Sequence, residues 1–438
     1  MKIAIIGCGY VFDTYMNTLG AHPELDIQGV FDIDTARAEI VGRHYGFRVY
    51  PDVETLLADP AVALVLNITS IESHYQVTRQ ALEAGKHVYS EKPLTTDLDE
   101  ARALFDLAAA KGLTLASAPC NMLCDTVQTM WKAVRDGAIG KPLLVYAEFD
   151  DNPIYLMNPE GWRSPTGAPW PYKHEYEQGC TFEHVGYHLV WLAAMFGPAE
   201  SVTAFSTQLV AKKTETPLDP PDTPDFSVGC INFKSGVAAR VTCSIVAPAD
   251  HRMRIIGDEG EISTNTYRQY QSPVMIERFS SLSLNARKSR SVRTIPALGH
   301  LFGVGGQRAP LIHHAKSRAS MQHSLTVKAS WRRRLFGAVK RRELDSQDKF
   351  LGLAETVRAL DEGRPSPIPP DFILHVVELT LAIQRAGVDG APVKLTTSFA
   401  PLAPTAEAAA STHNYRTAYR PPIFGSLFDR FIDRAHKH

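Results

Sequence analysis

A chain of 438 residues, 44% hydrophobic and 21% charged, has the composition of a soluble globular protein and the length for two domains with cores of their own. No apolar run approaches the roughly 18 residues of a membrane span, and a net charge of −1 excludes a uniformly basic or acidic binding protein. Six scattered cysteines lack zinc spacing, so buried free thiols are expected rather than a metal site or thiol catalysis.

The chain opens on an apolar strand, Lys2–Ile6, that runs straight into Gly7-Cys8-Gly9. Two glycines after a strand allow a tight turn and a close backbone approach to a pyrophosphate seated on the next helix N-terminus, and Tyr10 and Val11, which follow directly, are candidate cofactor contacts. The third glycine of the full fingerprint is replaced by Phe12, a change that bears on helix–strand packing more than on phosphate contact. Strands Ile27–Asp32, Val62–Ile68, His87–Ser90 and Leu113–Ala116 alternate with helices Val53–Ala58, His74–Ala84 and Leu98–Lys111. That alternation predicts an α/β, doubly wound parallel sheet over residues 1–120. Gly85 and Gly112 close two of the helices as left-handed caps. Asp32 ends the second strand, where a carboxylate accepts from the ribose hydroxyls of NAD and repels a 2′-phosphate. NAD is therefore expected in preference to NADP. The strand starting at Lys2 leaves no room for a leader ahead of it, so a cytoplasmic location is expected.

Beyond Asn121 a helix, Asp125–Asp136, and a strand, Leu143–Phe149, lead into a Pro-, Gly- and Trp-rich loop, Asn152–Gln178, expected to bind substrate without regular structure. A helix over Cys180–Met195 precedes strands Ser201–Val210, Phe226–Phe233, Val237–Val246 and Arg252–Ile256, with a tight turn at Asp258-Glu259-Gly260. The pattern is an α+β domain over 121–400 with a mostly antiparallel open sheet. Within it, about 280–342 reads as an insertion without a clean period; from Arg278 to Arg342 there are fifteen Lys or Arg and no Asp or Glu. Its segment Trp331–Arg342 is basic and amphipathic, suited to a solvated face or to peripheral contact with an anionic surface or membrane; nucleic acid is not expected, since no nucleic-acid module accompanies it. Helices resume at Asp348–Leu360 and Pro370–Ala386, and a tail over 401–438 is expected to be loose as far as an amphipathic stretch beginning at Phe424.

Chemistry concentrates in two places. Glu91-Lys92-Pro93 follows the fourth strand, and ligands of open α/β sheets sit beyond the carboxyl ends of strands. Glu183-His184-Val185-Gly186-Tyr187-His188 places two imidazoles at i and i+4, on one helical face, where either can accept an alcohol proton as hydride leaves. Glu183, one residue from His184, is expected to point elsewhere on a regular helix. The two histidines could also hold a metal, but no third ligand is evident and none is expected.

Gly7-Cys8-Gly9, Asp32, Ala84-Gly85-Lys86-His87-Val88, Glu91-Lys92-Pro93, Gly186-Tyr187-His188 and, more weakly, Gly257-Asp258-Glu259-Gly260 resemble the Gfo/Idh/MocA oxidoreductases, the family of glucose–fructose oxidoreductase and inositol dehydrogenase. The resemblance spans roughly 1–280 and 345–395. It implies a homo-oligomer transferring hydride between NAD(P) and a secondary alcohol of a small sugar-like substrate. Lys92 would polarise the reacting oxygen and contact the nicotinamide ribose, Pro93 would fix its backbone, and Glu91 would support both. Asn67 and Thr69 match positions where similar proteins place small polar groups against the cofactor, and Asn121 matches a substrate- or cofactor-facing one. His74, opening the next helix, is a candidate cofactor contact of a kind that more often packs structurally than reacts. His188 is the candidate base. The family's aspartate position holds His184, which leaves the base open between the two histidines. Two alternatives accompany this reading: an NAD-dependent redox elimination giving net glycoside cleavage, and a non-catalytic dinucleotide-binding regulator.

Overall fold

The structure is a computed structural model that describes residues 1–266, 269–284, 286–314, 347–418 and 424. The first sheet is built from β1 (Lys2–Ile6), β2 (Asp26–Phe31), β3 (Leu64–Asn67), β4 (His87–Ser90) and β5 (Leu115–Ser117). All pairs are parallel, in the order β2-β1-β3-β4-β5. A further edge position is reduced to a single parallel bridge, Val30 to Val49, flanked by Val30 N–H to Arg48 O and Tyr50 N–H to Val30 O. Counting that bridge as the third strand in chain order gives the 3-2-1-4-5-6 arrangement of a dinucleotide-binding Rossmann sheet.

The flanking helices follow local rules. Helix Leu98–Ala110 starts where Asp97 accepts from the N–H groups of Asp99 and Glu100, and acidic residues fill its first turn. Ala101, Leu104, Phe105 and Ala108 form its buried stripe, worth roughly 1.5–3 kcal/mol for each large side chain. Gly112 ends it at φ 64°, a left-handed conformation that costs glycine little. Helix Ile71–Glu83 starts three residues earlier than its apolar spacing suggested, with Ser70 at its N-cap.

The second sheet has nine strands among the described residues: β6 (Pro142–Asp150), β7 (Ala199–Thr207), β8 (Phe226–Phe233), β9 (Ala238–Ser244), β10 (Met253–Gly257), β11 (Gly260–Thr264), β12 (Val274–Arg278), β13 (Gln307–Ala309) and β14 (Val393–Lys394). Its order is β13-β12-β11-β10-β6-β9-β8-β7-β14; only β6 and β9 pair in parallel. On β6, Val145, Ala147 and Phe149 are buried while Tyr146 and Glu148 are half-buried, the period of two expected of a sheet covered on one face. Helices Gly186–Phe196 and Pro370–Gln384 pack against each other, and the second also lies on β7.

Three expectations need correction. The loop Asn152–Gln178 is not without regular structure: 3₁₀ turns at Ile154–Leu156 and Pro159–Gly161 and a helix at Tyr172–Gln178 shape it. The basic stretch from 280 begins as ordered chain, with helices Ala286–Arg293 and Pro296–Phe302 returning to the sheet edge as β13, so charge there masked two helices. The tail is pinned as far as Ala418. Thr405 N–H reaches Gln128 at 3.0 Å, and the buried Tyr415 donates its hydroxyl to Pro310 O at 2.7 Å. Residues 315–346, including Trp331–Arg342, and the terminal apolar stretch apart from Phe424 lie outside the described residues. No described helix is long and apolar enough to cross a membrane.

Candidate active site

The glycine turn sits at the carboxyl end of β1. Gly7 has φ 104°, and a Cβ there would meet Ile68 O at 2.6 Å, so the turn presses directly on the end of β3. A Cβ on Gly9 would meet nothing within 4 Å among the described residues, and Gly9 caps helix Tyr10–Leu19 without a side-chain bond. Open space over uncapped helical N–H groups is what a pyrophosphate requires. Asp32 accepts from Cys8 N–H at 2.6 Å and Asp34 N–H at 2.8 Å, which fixes its carboxylate at the rim beside the turn. These residues fit a dinucleotide. Phe12, at the missing third glycine, packs outward on Tyr45 and Phe47 and leaves the turn clear.

The loop of the second sheet closes on this turn. Arg37 donates to Cys8 O at 3.0 and 2.9 Å and to Thr166 O and Oγ1 at 2.9 and 2.6 Å. Asp13, buried, accepts from Thr166 N–H and Oγ1–H at 3.1 and 2.7 Å. Burial would raise the Asp13 carboxyl, but hydrogen bonds from Ser164, Tyr45 and Thr166 outweigh it and hold it below its ordinary value. On the same loop, Trp162 and Trp170 pack at 4.9 Å.

Asn67 and His74 brace the turn after β3. Asn67, buried, donates to His74 O and Thr78 Oγ1 and accepts from Thr69. His74 spans Pro93 O at 2.7 Å and Thr69 O at 3.2 Å, and burial depresses its basicity. It thus ties the Lys92–Pro93 turn, whose peptide is cis, to the end of β3. Asn121 donates to Tyr187 O at 3.0 Å, joining the end of the first sheet to the helix that carries the histidines.

Lys92 Nζ lies 2.5 Å from Glu183 Oε2, the side chains being 15% exposed each. Burial works against its ammonium, but Glu183, Tyr187 and Glu91 outweigh burial and hold it above the usual lysine range. This pairing overturns the expectation that Glu183 points away. The helix begins as a π turn, Thr181–Val185, and becomes α-helical only from Gly186. A π turn closes i to i+5 and takes up one more residue than an α turn, so the side-chain directions before Gly186 are rotated. Glu183 thereby meets Lys92, while His184 turns to Glu175 at 3.2 Å and stacks on Phe149 at 4.8 Å. Glu175 is buried; burial first, then Glu183 and Asp151, hold its carboxyl well above the usual range despite Lys92.

His188 lies deeper. It is fully buried, its Nε2 lies 2.7 Å from Glu148 O, and burial pushes it down to about 4. The structure thus brings Glu91, Lys92 and His184 to one crevice and sets His188 in the packing beneath it. Sequence reading missed Glu183, Glu175 and Lys349. Lys349 Nζ lies 3.3 Å from Glu91 Oε1 and 3.2 Å from the Tyr187 hydroxyl. Glu91 also accepts from Lys92 N–H and Tyr15 O–H. A cavity of about 40 Å³ lies between Lys92–Pro93 and the two packed helices, but its walls (Ala118, Pro119, Val190, Phe372, Val376) make it packing space rather than a sugar site. No cluster of three metal-ligating side chains occurs among the described residues.

A Rossmann turn with an acidic second-strand end and a buried lysine beyond a parallel strand define a dinucleotide-dependent oxidoreductase. Residues 1–118 match the oxidoreductase family "NAD-binding Rossmann fold" of GFO/IDH/MocA, and residues 127–263 match the GFO/IDH/MocA C-terminal domain. The chain belongs to the GFO/IDH/MocA oxidoreductases, and NAD as cofactor agrees with that family. It is similar to scyllo-inositol 2-dehydrogenase (NAD(+)) of Bacillus subtilis, 26% identical over 290 residues covering 65% of this chain and 79% of that one. It is also similar to the UDP-N-acetylglucosamine 3-dehydrogenase of Acidithiobacillus ferrooxidans, 32% identical over 148 residues, 34% of this chain and 45% of the relative. In fold it resembles the WlbA dehydrogenase of Bordetella pertussis, solved with NADH and UDP-GlcNAcA, with a TM-score of 0.63 at 16% identity over 90% of this chain and 97% of that one.

Proposed function

We propose that this protein reversibly oxidises a secondary alcohol of a sugar, cyclitol or sugar derivative, residues 1–120 holding NAD and residues 121–400 holding the substrate. The observation that carries the reading is the Lys92–Glu183 pair at the carboxyl ends of the parallel strands, beside the glycine turn. The names of an inositol dehydrogenase and a UDP-sugar dehydrogenase among its relatives support the substrate class.

Gly7, Gly9, Tyr10, Val11 and Asp32 would hold the dinucleotide, which supplies a hydride acceptor when bound. Lys92 donates a hydrogen bond to the reacting oxygen; its fixed positive charge lowers the cost of the alkoxide that develops there. Glu183 aims the ammonium, and His74 and Glu91 hold the backbone that carries it. His184 moves the alcohol proton, with Glu175 as its neighbour. His188, facing the Glu148 carbonyl, supports Phe149 and the histidine helix instead. Trp162 and Trp170 offer apolar faces to a sugar ring.

The test is a screen of polyols, sugars and nucleotide sugars for NAD reduction, read by the near-ultraviolet absorbance of reduced nicotinamide. Lys92→Ala should lose at least about a thousandfold in turnover and keep dinucleotide affinity within about tenfold. His184→Ala should lose turnover and His188→Ala should lose mainly stability. Full activity in Lys92→Ala removes Lys92 from the mechanism, and bound NAD that is never released during turnover favours the redox-elimination alternative.

A further inference from the structure

Lys349 is a second buried ammonium beside the crevice. Its Nζ lies 5.6 Å from the centroid of the Tyr187 ring, and Lys92 Nζ lies 5.8 Å from the same centroid. Two cations therefore flank one tyrosine, each with its own carboxylate: Lys349 with Glu91, Lys92 with Glu183. The chain around Lys349 is clamped on both sides. Asp348 bonds His22 at 2.8 Å, and the buried Phe350 meets Tyr15 edge-on at 5.1 Å. Tyr15 in turn donates to the same Glu91 oxygen that faces Lys349, at 3.0 Å. The ionisable groups facing Lys349 among the described residues are Glu91 and Lys92 from the end of β4, Tyr187 from the histidine helix and Cys120 from the turn after β5, with Tyr15 of the first helix sharing the Glu91 oxygen.

We propose that Lys349 is a positioning residue for the reaction at Lys92: it neutralises Glu91 and holds the Tyr187 hydroxyl, so that Lys92 keeps Glu183 as its partner and stays directed at the reacting oxygen. This rests on the hydride-transfer reading above. Glu91 already receives the Lys92 N–H on Oε2 at 2.9 Å, so its carboxylate stands next to that lysine's own backbone. Without Lys349, Lys92 is the cation left to answer both Glu91 and Glu183. The four charges that now cancel would leave one net negative charge. A buried negative charge opposes loss of a proton nearby, so the group that must be deprotonated for alcohol oxidation would ionise at higher pH.

The experiment uses the full chain as wild type, Lys349→Met, Lys349→Arg, Glu91→Gln and the Glu91→Gln/Lys349→Met double variant. The first readout is unfolding of the cofactor-free protein, which needs no turnover. Lys349→Met should be less stable than the double variant, because removing Glu91 as well leaves no unpaired buried charge. The second is the pH profile of kcat. In Lys349→Met, kcat should fall about tenfold and its acid limb should move up by about one pH unit, with KM changed less. Lys349→Arg should keep the wild-type limb, and the double variant should return to it. An acid limb that stays in place in Lys349→Met, or moves equally in Lys349→Arg, overturns the proposal. Should Lys349→Met not fold, the double variant decides: a folded protein with the wild-type limb supports the proposal, and one as unstable as the single variant overturns it. Wild-type protein that binds NAD but oxidises no polyol or sugar defeats the hydride-transfer reading itself, while the stability cycle still reports whether Lys349 neutralises Glu91.

Discussion

Replacing Glu91 by glutamine removes one charge from the most enclosed carboxylate of the crevice and leaves its shape. Burial by itself would raise this carboxyl, but Lys349 and Lys92, the Lys92 N–H and the Tyr15 hydroxyl outweigh burial and bring it from 4.5 to about 2. At about 1.4 kcal/mol per pH unit, that difference corresponds to about 3 kcal/mol of folding stability. Breaking a buried ion pair by removing one partner costs about 3–5 kcal/mol, which agrees. The sign follows from the direction. A carboxyl depressed on folding stabilises the protein above its unfolded value of 4.5, and that contribution is lost as pH falls toward about 2. Urea unfolding of cofactor-free wild type and Glu91→Gln, followed by tryptophan fluorescence, should therefore show a gap of about 3 kcal/mol at neutral pH that narrows below 4.5. A gap under about 1 kcal/mol at neutral pH, or one that does not narrow in acid, would mean that Glu91 carries no net favourable charge interaction.

Glu183→Gln should lower turnover about a hundredfold and leave the fold intact, since it removes the carboxylate that aims Lys92; wild-type turnover would make the π turn's register irrelevant to the chemistry. His188, brought from 6.5 to about 4 chiefly by burial, takes up a proton on unfolding, so stability should fall as pH drops from 6.5 toward about 4. His188→Asn should flatten that part of the acid slope, while His375, also depressed to about 4, keeps its own share. Arg37→Ala should release Thr166 from the glycine turn and speed chymotryptic cleavage near Trp162 about tenfold or more; an unchanged cleavage rate would show that Arg37 does not hold the loop.

What local sequence determined is what local physics writes. A strand ending in Gly7 and Gly9, the stripe of Ala101, Leu104, Phe105 and Ala108, and caps at Gly85 and Gly112 each follow from neighbours within a turn or two, so the parallel sheet and the place of Lys92 were legible. The resemblance carried the reaction class further than periodicity could. Tertiary structure decided the rest. Lys349 stands 258 residues from Glu91, and an ion pair across that separation leaves no pattern in either segment. Glu183 was misread because sequence spacing assumes an α turn, whereas packing around Cys180–Gly186 selects a π turn and changes which side chains face the crevice. The two histidines share a spacing, yet burial makes His188 a brace at Glu148 and leaves His184 beside Glu175. Spacing sets which residues share a face; only the surrounding chain determines what that face touches.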